Sequence, residues 1–576
     1  MDGIELPQKR KVKHLTLIRE ARTITSQEFN ALSYDERLEM VRVSDSEFRF
    51  QLLVEAKDGD RLMARLSGQD VFLTLKTIGT EATDLLLPMV SPEQFTFCLD
   101  LDCWQGDHFD ANKALQWLED LLGCEEQKIL EIVQKMNFEL LVLTLKKFVT
   151  VLHGPEDIDE DDVRVEAMRR DGGYEFSFAK DEESKLFTRL FDILFRLDPG
   201  FYSYLIEATR GESDALIEES VFQQRSARLH DAGLSEPFEA KLLYSWIDPD
   251  GFRCDEEKLE MRPDLVICAG HGRAHPRRLG LACHLVEASP RDLLAAALAG
   301  NLTPSANWEL ACLANKVLMA DQVDFGERDQ VQTSLQRMYE TFNLALEYLC
   351  DSKEEAVELL GKAYFQHLFQ VGHSLKLRLQ RRAVKILESE IGPFIDLPFK
   401  TFLQELCKTQ QPLYYPGLDN PGEDKARSFR SAIDLIKAQK WLDKIEVQYK
   451  LFVERMPFDL PQEDDIDLSG CIPERVEDVT LSQLFLSALA NRILGRPFAP
   501  EPIDADELAG LHGTLCRGKH LDASLREETN TWIASLLNGA DSFSDWCLDV
   551  WELEFCSVDI DAIDPRFVGG LIVRVD

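Results

Sequence analysis

The chain has 576 residues, of which 45% are hydrophobic, and its 103 acidic residues against 64 basic ones give a net charge of −39. That apolar content is typical of folded globular proteins and excludes a wholly disordered chain. Because such a negative charge repels phosphate groups, we expect no nucleic-acid partner and no membrane partner.

The sequence also predicts a cytoplasmic location. The basic residues from Lys9 to Lys13 are not followed by an apolar run long enough for a secretory signal, and no stretch is long enough to span a membrane. The 13 cysteines are odd in number and scattered, which is typical of reduced thiols in a reducing compartment. We therefore expect all 13 to be reduced.

A helical repeat is predicted for residues 26–152. The segments 67–78, 79–90 and 91–102 align without a gap, and short helices in series bury their apolar stripes only against neighbours. Two apolar columns result, made of Leu73, Leu85 and Phe97 and of Leu75, Leu87 and Leu99. The residues that supply side-chain caps for the helix starts are Ser67, Thr80 and Ser91.

In this repeat we expect both columns to line the interior. Lys76, Asp84 and Asp100 would then face water. Further helix starts are predicted from the capping-box pairs Ser33/Glu36 and Ser44/Glu47.

The rest of the chain divides by composition. After a flexible basic arm (1–25) and the helical-repeat domain (26–152), we predict an acidic linker with a β-hairpin, a central helical domain, a loop-rich connector and an acidic, helical C-terminal domain. Their ranges are 153–182, 183–391, 392–424 and 425–576.

Two β-hairpins are expected. The first joins VRVEAMRR to YEFSF across the glycines that follow Asp171, and the second pairs WELEFCSV with FVGGLIVRV at the C-terminus. Between them, a long helix over about 425–456 carries Ile433, Ile436, Trp441 and Ile445 as well as Phe452. The predicted fold class is therefore mostly α, with a solenoid-like N-terminal block, a helical body and minor β structure.

One group of residues has the chemistry of a metal site. Cys268, His271, His275 and Cys283 offer thiolates and imidazoles at short spacing, which suits tetrahedral Zn²⁺, although the spacing matches no common zinc finger. The alternatives are an ordinary exposed loop, or nucleophilic catalysis by one of these cysteines with His271 or His284 as base. Phosphate-loop and dinucleotide-binding patterns are missing, so we expect no cofactor.

A basic helix face is the second candidate site. Arg378, Arg381, Arg382 and Lys385 follow helical spacing and share one face, where an anionic partner could dock. The alternative is that acids such as Glu388 and Glu390 bind them within the chain.

Two families have similar sequences. Block 26–150 resembles the superhelical repeats of bacterial magnesium-channel N-domains and flagellar motor-switch proteins, through Ser91-Pro92-Glu93-Gln94 and the leucine columns. The whole chain resembles an uncharacterised bacterial domain-of-unknown-function family of helical proteins. The residues that carry this second resemblance are Leu99 to Trp104 (LDLDCW), Arg225 to Gly233, Leu313 to Asn315, and Ala490 to Arg496. It implies a helical fold and no activity.

Two functions are therefore open. The first is a non-catalytic scaffold or regulatory adaptor that binds protein partners through the face of the helical stack. The second is an enzyme or metal-dependent protein with its site near Cys268 to His284. A pocket of converging titratable groups would favour the second, and a long groove without one would favour the first.

Overall fold

The computed structural model describes residues 4–7, 21–152, 167–171, 174–211, 213–253, 286–299, 304–409, 411–420, 422–461, 468–560 and 563–575. The chain divides into two compact units, 1–372 and 373–576. Helices dominate both, which confirms the mostly α fold class. Within the described ranges, no helix combines the length and the apolar character needed to cross a membrane.

The described part of the first unit is built from both short and long helices. They are α1 (Ser26–Ala31), α2 (Tyr34–Val43), α3 (Ser46–Glu55), α4 (Gly59–Met63), α5 (Gly68–Ile78), α6 (Thr80–Leu86), α7 (Pro92–Asp102), α8 (Ala111–Leu122), α9 (Glu126–Lys135), α10 (Phe138–Phe148), α11 (Asp181–Leu197), α12 (Pro199–Gly211), α13 (Asp214–Asp231), α14 (Pro237–Lys241), α15 (Leu293–Leu298), α16 (Pro304–Ala320), α17 (Arg328–Leu349) and α18 (Lys353–Lys362). Helix α19 (Phe365–Leu387) runs through the division between the units.

Side-chain caps fix several of these helix starts. Ser33 and Ser91 form complete capping boxes with Glu36 and Gln94, and the Ser67 hydroxyl accepts a hydrogen bond from the Asp70 amide at 3.0 Å. These predicted caps are confirmed. The predicted cap at Ser44 is wrong by one residue, because the Asp45 carboxylate accepts the Phe48 amide instead. Thr80 is the first residue of α6 and not its cap, which is Gly79.

The repeat columns are only partly confirmed. Leu75, Leu87 and Leu99 are buried, but Leu85 of the other column is 45% exposed. Helix α6 has only seven residues and passes into a 3₁₀ turn at Leu87–Met89, so Leu86 and Leu87 take the interior positions instead. The expectation for Leu85 was wrong, and a regular solenoid is not confirmed.

Strands in the first unit form small antiparallel sheets. They are β1 (Ile4–Pro7), β2 (Ala21–Ile24), β3 (Trp104–Gln105), β4 (His108–Phe109), β5 (Val149–Leu152), β6 (Ala167–Asp171) and β7 (Tyr174–Phe178). The predicted pairing of β6 with β7 is confirmed, and β5 adds a third strand on the other side of β7. Alternation in β7 buries Phe176 and Phe178 against Phe187 and Phe191 of α11.

The second unit contains six further helices. They are α20 (Leu397–Leu406), α21 (Ala432–Lys450), α22 (Leu481–Ile493), α23 (Leu508–Leu515), α24 (Ala523–Leu536) and α25 (Asp541–Trp551). Its strands are β8 (Cys471–Ile472), β9 (Ile503–Asp504), β10 (Cys516–Arg517), β11 (His520–Leu521) and β12 (Val573–Arg574). Aromatic rings fill its interior, with Phe399 packed against both Trp441 and Trp546.

The predicted C-terminal hairpin is wrong. The segment WELEFCSV continues α25 as a π-helical turn, Glu552–Cys556, which buries Trp551 and Phe555 four residues apart on one side. Strand β12 in the last run pairs instead with β8 and β9, as the centre of a three-stranded sheet.

The expectation that all cysteines are reduced is also wrong. Cys516 and Cys556 form a disulfide, with their Cα atoms 5.5 Å apart. The two cysteines are 40 residues apart in sequence, and only the folding of β10 back onto the end of α25 brings them together.

Candidate interaction surface on helix α21

The predicted metal ligands are not among the residues that the structure describes. Cys268, His271, His275 and Cys283 lie within 254–285, outside the described ranges, so the site stays a prediction. In the described part of the chain, no group of three or more His, Cys, Asp or Glu side chains has an arrangement that could hold a metal ion.

The predicted basic face of α19 is described. Arg382 donates from Nε to Glu446 of α21 at 2.8 Å and from Nη2 to Asp443 at 2.5 Å, so this guanidinium is bound within the chain. Its partners are 64 and 61 residues away in sequence, and are not the nearby acids that the sequence suggested. The role of Arg378, Arg381 and Lys385 in partner binding stays a prediction.

Helix α21 is an amphipathic helix. Leu435, Ala438, Leu442 and Ile445 recur at intervals of three and four residues and are buried. Because this spacing places the four apolar side chains on one side of the helix, that side packs into the interior of the second unit. The helix extends into a π-helical turn, Leu451–Arg455, where Phe452 is also buried.

The acidic side chains of α21 all pair with arginines outside the helix. Asp434 accepts two hydrogen bonds from Arg427, at 2.7 and 3.0 Å. Asp443 and Glu446 both bind Arg382. Arg382 carries one positive charge against two carboxylates, but among the described residues none of the three acids forms an ion pair with a lysine of the same helix.

The outer face of α21 combines isoleucines and lysines. Ile433 is 64% exposed and Ile436 is 50% exposed. Lys440 and Lys444 are exposed and Lys437 is half-buried. At about 100° per residue these five positions lie within an arc of about 100°, which we call the lysine–isoleucine face.

The lysines of this face have no acidic partner among the described residues. Neither Lys437, Lys440 nor Lys444 forms an ion pair there, and Lys444 instead places its ammonium 4.0 Å from the centre of the Trp441 ring. The Trp441 indole is in turn held by the Asp419 carboxylate, which accepts from Nε1 at 3.2 Å. The face therefore presents positive charge next to exposed apolar surface.

The local charge departs from that of the chain. Residues 425–456 contain eight basic and four acidic side chains, a net of +4, whereas 457–576 contain eight basic and 24 acidic ones, a net of −16. A long helix was predicted here, but the ion pairs that its acidic residues form with Arg382 and Arg427 were not. The only sequence signal for the face is the local excess of lysine.

The run LDLDCW (99–104) in the first unit contributes to a buried ionic cluster. Asp100 is fully buried and accepts two hydrogen bonds from Arg228, at 2.7 and 2.8 Å, so the expectation that it faces water was wrong. Asp102 accepts from the Trp117 indole at 2.7 Å and pairs with Lys76 at 2.5 Å. Each charge has a partner within the chain, which is the arrangement of a structural network.

Another buried acid, Asp396, lies in the second unit, and no cation among the described residues pairs with it. Its carboxylate accepts the Ser482 hydroxyl and, at 3.2 Å, the Ser482 amide at the start of α22. Burial raises the pKa of Asp396 to about 6, and the hydrogen bonds from Ser482 and Thr480 only partly oppose that rise. This group acts as a shared cap for α22.

The described part of the chain is mostly α-helical and presents the lysine–isoleucine face on α21. The chain belongs to the family described as "Family of unknown function (DUF6178)", whose model matches residues 26–574. This confirms the resemblance of the whole chain to a family of unknown function. The resemblance of the N-terminal block to channel and motor-switch repeats is not confirmed by any of the comparisons.

Short stretches are similar to endonuclease V proteins. The identity is 67% over 27 residues with the protein of Roseiflexus castenholzii, 64% over 28 residues with that of Myxococcus xanthus, and 59% over 29 residues with that of Trichormus variabilis. Each match covers 5% of this chain and 12 to 13% of the relative. The chain thus spans about an eighth of the curated relatives that it matches. No solved structure matches the chain.

Proposed function

We propose that this protein is a non-catalytic adaptor that binds a protein partner through the lysine–isoleucine face of α21. One observation carries the proposal, namely the exposure of Ile433 and Ile436 beside lysines that no acid of the described residues neutralises. Exposed apolar side chains next to unpaired charge are a feature of protein-binding surfaces.

The charge of the chain argues for a protein as the partner. At a net −39, the long-range field repels nucleic acid and anionic membranes, whereas a folded protein with a complementary patch approaches at short range. We place the adaptor in the cytoplasm, in line with the sequence expectation. The alternative, an enzyme or metal-dependent protein with its site near Cys268 to His284, stays a prediction.

Site-specific crosslinking tests the adaptor role. A photoreactive amino acid replaces Ile436 in the full chain, in cells that produce the protein, and a matched chain carries it at Leu553, which is 73% exposed on another helix of the same unit. We expect a crosslinked second protein at position 436 only. It should disappear when Lys437→Glu and Lys440→Glu are added.

Equal crosslinking at positions 436 and 553, or a product at 436 that persists with both lysines reversed, would show that the face is not a binding surface. A product whose mass equals twice that of the chain would mean self-association and not adaptor function.

A further inference from the structure

The lysine–isoleucine face has a directional pattern. Its apolar part, Ile433 and Ile436, lies at the N-terminal end of α21, and its lysines follow at 437, 440 and 444. At 1.5 Å per residue the face is about 16 Å long, which is three turns of helix. A ligand that covers it must therefore be apolar at one end and anionic along the rest.

We propose that this face docks an acidic amphipathic helix of a partner protein, an inference that rests on the adaptor role proposed above. A helix of about three turns matches the length of the face, and carboxylates three and four residues apart match the spacing of Lys437, Lys440 and Lys444. Two apolar side chains one turn apart at the end of that helix cover Ile433 and Ile436.

Charge complementarity selects this occupant. The acids beside the face are held by Arg382 and Arg427, so they neither neutralise the lysines nor repel an incoming carboxylate at full strength. The chain outside this region is acidic, so an acidic helix that docks elsewhere on it would meet like charge. Residues 425–456, with their net charge of +4, thus offer an acidic helix both electrostatic attraction and apolar contact.

The contribution of each lysine is expected to be small and sensitive to salt. Ion pairs between exposed groups are weak singly and are screened at physiological ionic strength, so the apolar contact supplies much of the affinity while the lysines fix register and raise the association rate. Both parts of the face are therefore needed, and each can be removed separately.

The test uses the full chain and a fluorescent helical peptide as the probe. The peptide has about four turns, with two leucines one turn apart at one end and glutamates at the following face positions, and its binding is measured by fluorescence anisotropy. Control probes carry glutamine or lysine in place of the glutamates. We expect binding of the glutamate peptide only, weakened several-fold between about 50 and 300 mM salt.

Matched variants locate the binding site. Lys437→Glu with Lys440→Glu should weaken binding roughly tenfold, and Ile436→Ser roughly fivefold. Lys519→Glu and Leu553→Ser change an exposed lysine and an exposed leucine elsewhere in the same unit, and should leave binding unchanged. The double lysine variant should bind the lysine peptide better than wild type does, because the charges are exchanged.

Four results would overturn the inference. Equal binding of all three peptides would show that binding does not depend on charge. An equal loss of binding in the Lys519 and Leu553 control variants would show that it does not depend on this face. Sedimentation of the chain with phosphatidylserine vesicles that depends on Lys437 and Lys440, without peptide binding, would mean a membrane ligand. Dimers in sedimentation velocity that the Ile436→Ser change dissociates would mean a second copy of the chain.

The inference and the adaptor role fail separately. A partner crosslinked at Ile436, together with no binding of the acidic peptide, would overturn only the chemistry proposed here for the partner. Absence of any site-specific crosslink would overturn the adaptor role itself.

Discussion

Lysines have different surroundings in the two units. In the first unit Lys76 and Lys113 both lie near the buried carboxylate of Asp102, at 2.5 and 3.4 Å. In the second, Lys437 and Lys440 meet no acid among the described residues, because arginines already hold the acids of their helix. Charge inside the first unit is thus committed to the fold, whereas charge on α21 is available to a partner.

The comparison implies that the first unit tolerates a buried charge only when it has a partner. Leu87→Asp places a carboxylate without one among fully buried side chains, and should cost about 5 kcal/mol in the free energy of unfolding through lost packing and desolvation. The control is Leu85→Asp, two residues earlier and exposed, expected within about 1 kcal/mol. Urea denaturation followed by circular dichroism measures both, and equal costs would contradict the burial pattern of α6.

The ion pair between Asp100 and Arg228 can be broken by removing the arginine. Arg228→Ala leaves the fully buried Asp100 carboxylate without its two hydrogen bonds, and should cost about 3 to 4 kcal/mol. The matched change in the second unit, Lys440→Ala, should stay within about 0.5 kcal/mol. If thermal unfolding showed the two variants to be equally stable, the contrast between committed and available charge would be lost.

Sequence reasoning found what is local in this fold. The caps at Ser33, Ser67 and Ser91 were predictable because a side chain and the amide it binds are three residues apart. The β6–β7 hairpin was predictable for the same reason, since both strands and their glycine turn are adjacent in sequence. Periodicity alone was sufficient for the fold class.

What sequence reasoning missed depends on distant residues. Asp100 is buried because Arg228, 128 residues later, reaches it, and no local pattern indicates that. The lysine–isoleucine face is likewise not visible from local sequence. The sequence places Ile433 on a long helix, but only the burial of Leu435 and Leu442 shows which side of α21 faces outward.

Asp396 makes the stability of the second unit depend on pH. Unlike Asp100 and Asp102 of the first unit, this buried acid has hydroxyl and amide partners but no cation among the described residues. Its pKa is about 6 in the folded protein and near the ordinary 3.8 when unfolded, so folding favours the protonated carboxyl. The resulting stability is fully present below about pH 4 and is lost as the pH rises through 6. Asp396→Asn keeps a neutral acceptor and does not titrate.

We therefore expect Asp396→Asn to match wild type at pH 4 and to exceed it by about 2 to 3 kcal/mol at pH 8. Urea denaturation of both proteins at the two pH values measures the difference, in which the titration of other groups cancels. A constant difference across this range would mean that Asp396 has an ordinary pKa in the folded protein.

The smallest predicted change in the free energy of unfolding concerns the ion pairs that Arg382 forms with α21, next to the lysine–isoleucine face. Arg382 is bound by Asp443 and Glu446 but remains partly exposed, so solvent screens these ion pairs. Arg382→Ala should therefore cost only about 1 kcal/mol, and that cost should shrink in 1 M NaCl because the screening length falls to about 3 Å.

The same change should weaken binding of the acidic peptide to the lysine–isoleucine face. Without Arg382, the carboxylates of Asp443 and Glu446 lose the one cation that they share, and they repel an approaching acidic helix more strongly from the side of Ile436 and Lys440. Arg382→Ala should then weaken binding of the acidic peptide roughly threefold at low salt, although the arginine itself does not touch the peptide. Lys519→Ala, which removes an exposed lysine elsewhere in the same unit, is the control. If Arg382→Ala instead left binding unchanged while the double lysine reversal abolished it, the neutralisation of the acids of α21 would have no part in making the face available.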